Sequence, residues 1–233
     1  MKNYLLRLFI GICLAICFAG CLRAGWFEDA VTENQAGNYE KAFEITRKIA
    51  EQGDAKAQHY LGFSYVWGKG VTKDYDKASK WYRKAAEQGY ADAQYRLGLM
   101  YKIGQGVTQN DNEAVKWYSK AAEQGYADAQ YELGLMYKKG EDVLQNNKEA
   151  AKWCRKAAEQ GHVSAQYELG FMYVIGKGVI QDYVQAHKWL NLAAVSEDVH
   201  ASRVRKMVAD GMTPTQLAEA QKLARGWKLG GSK

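Results

Sequence analysis

A pattern of small, apolar and aromatic positions repeats along this chain with a period of 36 residues. The block that begins at Ala50 recurs in register from Ala86, Ala122 and Ala158, without an insertion. Chance does not keep so many positions in register four times. The sequence therefore predicts an array of stacked units, each in contact only with its neighbours.

Each copy begins with a predicted helix. Alanine, leucine and tyrosine follow one another at four-residue spacing, which places them on one helix face. These columns are Ala57/Ala93/Ala129/Ala165, Leu61/Leu97/Leu133/Leu169 and Tyr65/Tyr101/Tyr137/Tyr173. A glycine after each leucine, for example Gly98, costs about 1 kcal/mol relative to alanine in a helix. We therefore expect a second helix to approach closely there. Loop glycines such as those of Gly68-Lys69-Gly70 are expected to end the helix with positive φ angles.

A second predicted helix completes each copy. It begins at an N-cap residue, and glutamate or glutamine follows three residues later in three copies, as in a capping box. The N-cap residues are Asp74, Asn110, Asn146 and Asp182. Alanine, tryptophan and alanine columns then run along the helix. They are Ala78/Ala114/Ala150/Ala186, Trp81/Trp117/Trp153/Trp189 and Ala85/Ala121/Ala157/Ala193. The alanines allow close backbone approach, and the tryptophan is expected to fill the gap between neighbouring helices as part of the core.

The flanks resemble degenerate copies of this unit. Residues 27–36 and 39–51 predict a first helix pair, and a helix from about 197 to 209 plus one from Pro214 to about Arg225 predict a last pair. The fold class is thus expected to be all-α, an α–α superhelix (solenoid) of about six helix–turn–helix pairs. The predicted divisions are a leader at 1–20, an N-terminal capping pair at 21–49, repeats at 50–85, 86–121, 122–157 and 158–193, and a C-terminal capping pair at 194–227.

The leader has the features of a secretory signal. Lys2 and Arg7 precede an apolar stretch at 8–19 that is short for a membrane span. It ends in Phe18-Ala19-Gly20-Cys21, which resembles the lipobox of bacterial lipoproteins and implies acylation of Cys21. The expected location is the bacterial envelope, on a lipid anchor and most simply in the outer membrane. An ordinary leader, cut near Ala24 to release a soluble periplasmic or secreted chain, and an uncleaved anchor are the alternatives.

Charge and cysteine content narrow the possible partners. The net charge of +6 includes Lys2 and Arg7, so from Cys21 onward it is +4, too small and too dispersed to predict nucleic-acid binding. Of four cysteines, Cys154 alone would remain free in a mature lipoprotein, so no disulfide is expected. A membrane contact through the lipid anchor and a protein or peptide partner are the expected interactions.

The repeat motifs resemble those of the Sel-one-like repeat family, relatives of the tetratricopeptide repeats. The shared elements are A-x-x-G-x-x-x-A-x-x-x-L-G-x-x-Y, G-x-G-V and A-x-x-W-Y-x-K-A-A, and they cover roughly residues 27–227. The resemblance implies a right-handed superhelix whose curved inner surface binds proteins or peptides. Glu141-Asp142 departs from the third G-x-G, and Cys154 and Leu190 replace the tyrosine after tryptophan.

Motifs for catalysis are missing from the sequence. There is no G-x-S-x-G, H-E-x-x-H, S-x-x-K or Walker-type loop, and the four histidines lack metal-ligand spacing. We therefore expect no catalytic, cofactor or metal residues and no small-molecule substrate. The alternative is a weak penicillin-binding or β-lactamase-like hydrolase, an activity associated with cysteine-rich relatives. Hydrolysis of a chromogenic β-lactam distinguishes the two functions.

Positions that vary between copies are the candidates for partner binding, since the first helices line the concave face in helical repeat families. The candidate residues are Tyr95, Arg96, Leu99, Lys102, Tyr131, Glu132, Leu135 and Lys138. They predict a strip of apolar leucines between charges of both signs. The alternative for the charges is simple solvation of a surface, and the tyrosines could equally serve packing between repeats.

Overall fold

Helices make up the regular structure of the described chain, which comprises residues 25–140, 143–195 and 199–227 of a computed structural model. They are α1 Trp26–Gln35, α2 Tyr39–Glu51, α3 Ala55–Trp67, α4 Tyr75–Glu87, α5 Ala91–Ile103, α6 Asp111–Glu123, α7 Ala127–Lys139, α8 Asn147–Glu159, α9 Val163–Ile175, α10 Tyr183–Ala194, α11 Val199–Asp210 and α12 Pro214–Arg225. The predicted all-α repeat fold is confirmed. The leader with Cys21, the loop residues Glu141 and Asp142, and the predicted start of α11 near 197 lie outside the described residues.

Contacts divide the chain into two compact units. The first runs through Ala93 and adds Gly104–Thr108, and the second contains Gln94–Ile103 and the chain from Gln109 onward. Within the first unit, α1 packs on α2, α2 on α3 and α3 on α4. In the second, α7 packs on α8, α8 on α9, α9 on α10, and α10 on both α11 and α12. Within each unit, these helices therefore pack on their neighbours in sequence, as expected for a repeat array.

The mid-helix glycines mark the closest contact within each pair. A Cβ added at Gly98 would lie 2.8 Å from a ring carbon of Tyr118, and one at Gly134 would lie 2.8 Å from the Cys154 sulfur. The residue that fills the gap within each pair is thus the one after each tryptophan. These residues are Tyr82, Tyr118, Cys154 and Leu190, all buried. The tryptophans pack in clusters that join neighbouring pairs, as predicted: Trp189 belongs to the core cluster that contains Cys154 of the preceding pair and Leu169 of its own.

The tryptophan column is a boundary between core and solvent. Trp117 and Trp189 are 4% exposed, while Trp81 and Trp153 are half-buried. A lysine ammonium lies over each of these four rings, at 4.1–4.3 Å from the ring centroid. Lys188 precedes Trp189 directly, whereas in the other three pairs the lysine lies one turn further along the helix. Those three pairs are Lys84–Trp81, Lys120–Trp117 and Lys156–Trp153. The indole therefore covers the apolar interior and also carries a cation on its outer face.

The turn glycines have the predicted positive φ angles. The second glycine of the turn also lies in close contact with the preceding helix pair. Gly68 and Gly70 have φ angles of 67° and 70°. A Cβ at Gly70 would overlap the backbone carbonyl of Tyr39, at the start of the preceding pair's second helix. A Cβ at Gly68 would meet nothing nearer than 3.5 Å. The second glycine thus allows one turn to lie directly on the preceding pair.

The predicted N-caps form, but of the two hydrogen bonds in a capping box only the one accepted by the N-cap side chain is present in α6. The Asn110 side chain accepts a hydrogen bond from the Glu113 backbone N–H at 3.0 Å. The Glu113 carboxylate then pairs with Lys116, 3.0 Å away, instead of turning back to the N-cap. Only α12, in the described chain, has the reciprocal box, between Thr213 and Gln216. The glutamate therefore pairs with the exposed lysine one turn further along the helix and does not accept a hydrogen bond from the N-cap backbone.

Candidate functional site

The predicted strip lies in the second unit, on the first helices α5 and α7. Helix α5 carries Tyr95, Arg96, Leu99 and Lys102, and helix α7 carries Tyr131, Glu132, Leu135 and Lys138. All eight side chains are half-buried, so they belong to a surface that is partly covered by neighbouring repeats. The four-residue and three-residue spacing on each helix brings them to one face.

Ion pairs between consecutive repeats hold the charged positions of this strip. The Lys102 ammonium lies 2.6 Å from a Glu132 carboxylate oxygen, and the Lys138 ammonium lies 2.6 Å from Glu168. The side chains of Lys102 and Glu132 are 26% and 21% exposed. Partial burial reduces solvent screening and strengthens such a pair relative to one in open water. Glu132 is therefore not the free surface residue that its variable column suggested, because it also joins α5 to α7.

The two candidate tyrosines pack between repeats. The Tyr95 ring centroid lies 5.7 Å from that of Tyr118 and 5.2 Å from that of Tyr126. The Tyr131 ring stacks on His162 at 4.6 Å. Burial raises the pKa of Tyr95, and burial, then the nearby Glu168 charge, raises the pKa of Tyr131 to about 12. Both phenols stay neutral at physiological pH, and most of each ring's surface contacts the protein.

Arg96 is the unpaired cation of the strip. Its guanidinium lies over the Tyr95 ring, 5.6 Å from the centroid, and its Nε atom is buried without a hydrogen-bond partner. No carboxylate of the described chain forms an ion pair with it. Leu99 packs against the core cluster of Tyr118 and Leu133 and presents only part of its side chain. Arg96 is therefore the charge of this strip that could pair with a partner.

The sequence analysis missed a set of buried first-helix glutamines, three of which are hydrogen-bonded to an exposed glutamine at the end of a second helix. The Gln130 amide donates to the Ala122 carbonyl at 3.0 Å, and its oxygen accepts from the Gln160 amide at 2.8 Å. The Gln58–Gln88 and Gln94–Gln124 pairs have the same geometry, at 2.8 and 2.7 Å. Each pair satisfies polar atoms inside the stack, which would be costly to bury alone. The signal was present in the sequence, because the same polar residue recurs beside the invariant alanine of every first helix.

Groups suited to chemistry do not cluster in the described part of the chain. No set of three or more His, Cys, Asp or Glu side chains there could hold a metal ion. The Cys154 thiol is buried, and burial followed by the nearby Glu168 charge raises its pKa to about 12, which disfavours the reactive thiolate. Among the described helices, none combines the length and apolar character that crossing a membrane needs.

The family assignment follows from the repeats themselves. Five consecutive segments, at residues 29–54, 55–90, 91–126, 127–162 and 163–194, match the family model of the Sel1 repeat. The chain belongs to the Sel1 repeat family. The first matched segment includes most of the α1–α2 pair, so the Sel1 repeats begin before the block at Ala50. This fold is typical of proteins that bind other proteins.

Solved structures of other Sel1 repeat proteins are similar to this chain. A Sel1 repeat protein from Oxalobacter formigenes is 40% identical with a TM-score of 0.69, over 73% of this chain and 49% of that one. The present chain thus spans about half the length of that relative. A putative Sel1 repeat protein from Klebsiella pneumoniae is 25% identical (TM-score 0.50, 80% of this chain and 93% of that one). An immunity protein from Pseudomonas aeruginosa is also 25% identical (TM-score 0.50, 87% and 77%). Among curated proteins, none matches the chain.

Proposed function

We propose that this chain is a non-catalytic protein-binding scaffold of the bacterial envelope. In this proposal, Cys21 carries the lipid anchor, and the first-helix strip of the second unit, from Tyr95 to Lys138, contacts a protein or peptide on the concave surface. The partner would be a segment with apolar side chains and charges of both signs. The membrane would be contacted only through the anchor.

The observation that carries this proposal is the contrast between columns of the repeat. Positions that pack, such as Leu97 and Leu133, are the same in every copy and buried. Positions on the strip differ from copy to copy, yet inter-repeat contacts such as that between Lys102 and Glu132 hold them in defined places. A surface that is both variable and preorganised is suited to recognition, because little side-chain entropy is lost on binding.

Reversal of Arg96 tests the binding strip. We expect Arg96→Glu to weaken capture of the native partner by about tenfold or more, as truncation or reversal of an interfacial arginine commonly does. The melting temperature should fall only modestly, since Arg96 loses its contact with the Tyr95 ring but no ion pair of the described chain. Pulldown from envelope extracts, quantified for wild type and variant, measures the effect.

Two matched variants complete this test. Lys102→Glu combined with Glu132→Lys exchanges the charges but keeps their attraction, so it should fold as stably as wild type and still bind less well. Lys80→Glu, at an exposed position of α4, should change neither property. Loss of the partner with Lys80→Glu but not with the strip variants would place binding on the second helices and refute the assignment.

The lipid anchor has its own test. Acyl chains contribute about 0.8 kcal/mol per buried CH₂, and stable attachment needs at least two such signals, which a diacylated or triacylated cysteine supplies. We expect Cys21→Ser to abolish incorporation of labelled fatty acid and to release the chain from membranes, whereas Cys17→Ser should do neither. An intact mass that corresponds to an unmodified N-terminus near residue 25 would rule the anchor out.

A further inference from the structure

An aromatic pocket of about 130 Å³ lies in the first unit. Side chains of α1, α2 and α3 form it, and the aromatic ones are Trp26, Phe27, Tyr39, Phe43, Tyr60 and Phe63. The other polar residues that line it are Asn34, Thr46, Ser64 and Lys69. The Phe27 and Tyr60 rings pack against each other with centroids 5.1 Å apart. The lining is thus apolar with few polar groups, which is the usual character of a ligand site.

The pocket exists because one repeat lacks a side chain that the others have. Ser64 occupies a column in which the next three copies carry Met100, Met136 and Met172. Those methionines are 4%, 1% and 1% exposed, and Met136 and Met172 belong to core clusters with alanines of the preceding pair's second helix. The Ser64 hydroxyl instead donates to the Tyr60 carbonyl at 3.1 Å and leaves the volume beyond it open. A long flexible thioether is replaced here by a small polar group.

Two lysine ammonium groups without an ion pair among the described residues lie on aromatic rings of this pocket. The Lys69 ammonium lies 5.5 Å from the centroid of the Tyr39 ring, and the Lys56 ammonium lies 3.3 Å from that of Phe27. Neither lysine forms an ion pair with a carboxylate of the described chain. The nearby Glu33 carboxylate is already engaged by Lys41 and Asn38. A carboxylate brought to the mouth of the pocket would therefore meet cations without an existing partner.

We propose that this pocket binds one aromatic side chain of a partner peptide in which an acidic residue follows the aromatic one. Cavities of about 150 Å³ with aliphatic and aromatic walls accept a benzene-sized guest, so the volume fits a phenyl ring. The ring would pack against Phe27, Tyr60 and Phe63 beneath Ser64. The neighbouring carboxylate would pair with Lys69, at the pocket's rim.

This inference deepens the proposed function, since it names the chemistry of a partner segment and a second place that holds it. The two can fail separately. The strip is tested with the native partner and Arg96, whereas the pocket is tested with synthetic probes and Ser64. A negative result in the test of the strip does not contradict the pocket, and a negative result in the test of the pocket does not contradict the strip.

The test uses three short capped peptides and the purified, isotope-labelled protein. The probes are acetyl-Gly-Phe-Asp-amide, acetyl-Gly-Phe-Asn-amide and acetyl-Gly-Ala-Asp-amide, titrated while backbone NMR signals of Tyr60, Phe63 and Ser64 are followed. The Phe-Asp peptide should shift these signals. The Phe-Asn peptide should bind about threefold to fivefold more weakly, as expected for loss of one exposed ion pair. The Ala-Asp peptide should bind more than about tenfold more weakly because the buried ring is gone.

Ser64→Met is the decisive variant because it restores the residue of the other repeats. It should fold at least as stably as wild type and weaken Phe-Asp binding by more than about tenfold, because the methionine side chain occupies the ring's place. Ser64→Ala should bind within about twofold of wild type. Lys69→Gln, which introduces the residue found at Gln105 in the next copy, should bind the Phe-Asp and Phe-Asn peptides equally.

Three outcomes would overturn the proposal. The first is an absence of shifts at the pocket with the Phe-Asp peptide, and the second is unchanged binding by Ser64→Met. The third is binding that appears only after removal of residues 1–24, which would assign the pocket to the chain's own N-terminal segment.

Discussion

Replacement of Gly70 by alanine should lower the free energy of unfolding by about 2–5 kcal/mol. The left-handed backbone conformation, with φ at 70°, costs an alanine about 1–2 kcal/mol. The new Cβ would also overlap the Tyr39 carbonyl, and relief of such an overlap by backbone movement costs about 1–3 kcal/mol more. Chemical denaturation followed by circular dichroism measures the loss as a lower midpoint.

Gly68→Ala is the matched control in the same turn. Its φ angle of 67° imposes nearly the same backbone cost, while its Cβ would have ordinary contacts. We therefore expect a loss of about 1–2 kcal/mol, from conformation alone. The difference between the two variants isolates the packing of the turn on α2. Equal losses would show that this turn does not rest on the preceding helix pair in solution.

Tyr118→Ala should be as damaging as any single truncation in the second unit, at about 3–5 kcal/mol. The ring is fully buried, lies against Gly98, and packs with Tyr95. Its loss leaves a cavity that the glycine cannot fill. Ile103→Ala, at the 55% exposed end of α5, should change stability by less than about 0.5 kcal/mol. Similar denaturation midpoints for the two variants would contradict the assignment of Tyr118 to the centre of the pair.

The sequence was sufficient to predict the helices because its periodic columns and its caps agree. The N-caps of α4, α6, α8 and α10 lie at the predicted residues, and α2 and α12 have the predicted ends. The glycine of each first helix correctly indicated a close contact. Which residue makes the contact was harder to predict, because Trp117 and Tyr118 are adjacent and differ only by a rotation of 100° about the helix axis.

Contacts between neighbouring repeats were less predictable than the repeats themselves. Lys102 and Glu132 were recognised as variable charges, but their pairing depends on how far one repeat is rotated against the next. The pocket beside Ser64 is a similar case. The serine could have been noticed as the exception in a column of methionines, yet only the packed structure shows that no other side chain fills the space. Residues that recur in every copy therefore predict the core, but they do not predict the contacts and pockets formed where the copies differ.

The burial of Cys154 against Gly134 has a redox consequence. In the envelope location proposed above, the chain would meet an oxidising compartment, where a free thiol is a liability. Only the thiolate reacts readily, and burial, followed by the nearby Glu168 charge, raises the pKa of the thiol to about 12, which leaves very little thiolate at neutral pH. The sulfur also has no exposed surface through which a second thiol could reach it. The third repeat can therefore hold a cysteine where its neighbours hold tyrosine or leucine, and the chain remains safe from oxidative cross-linking at that position.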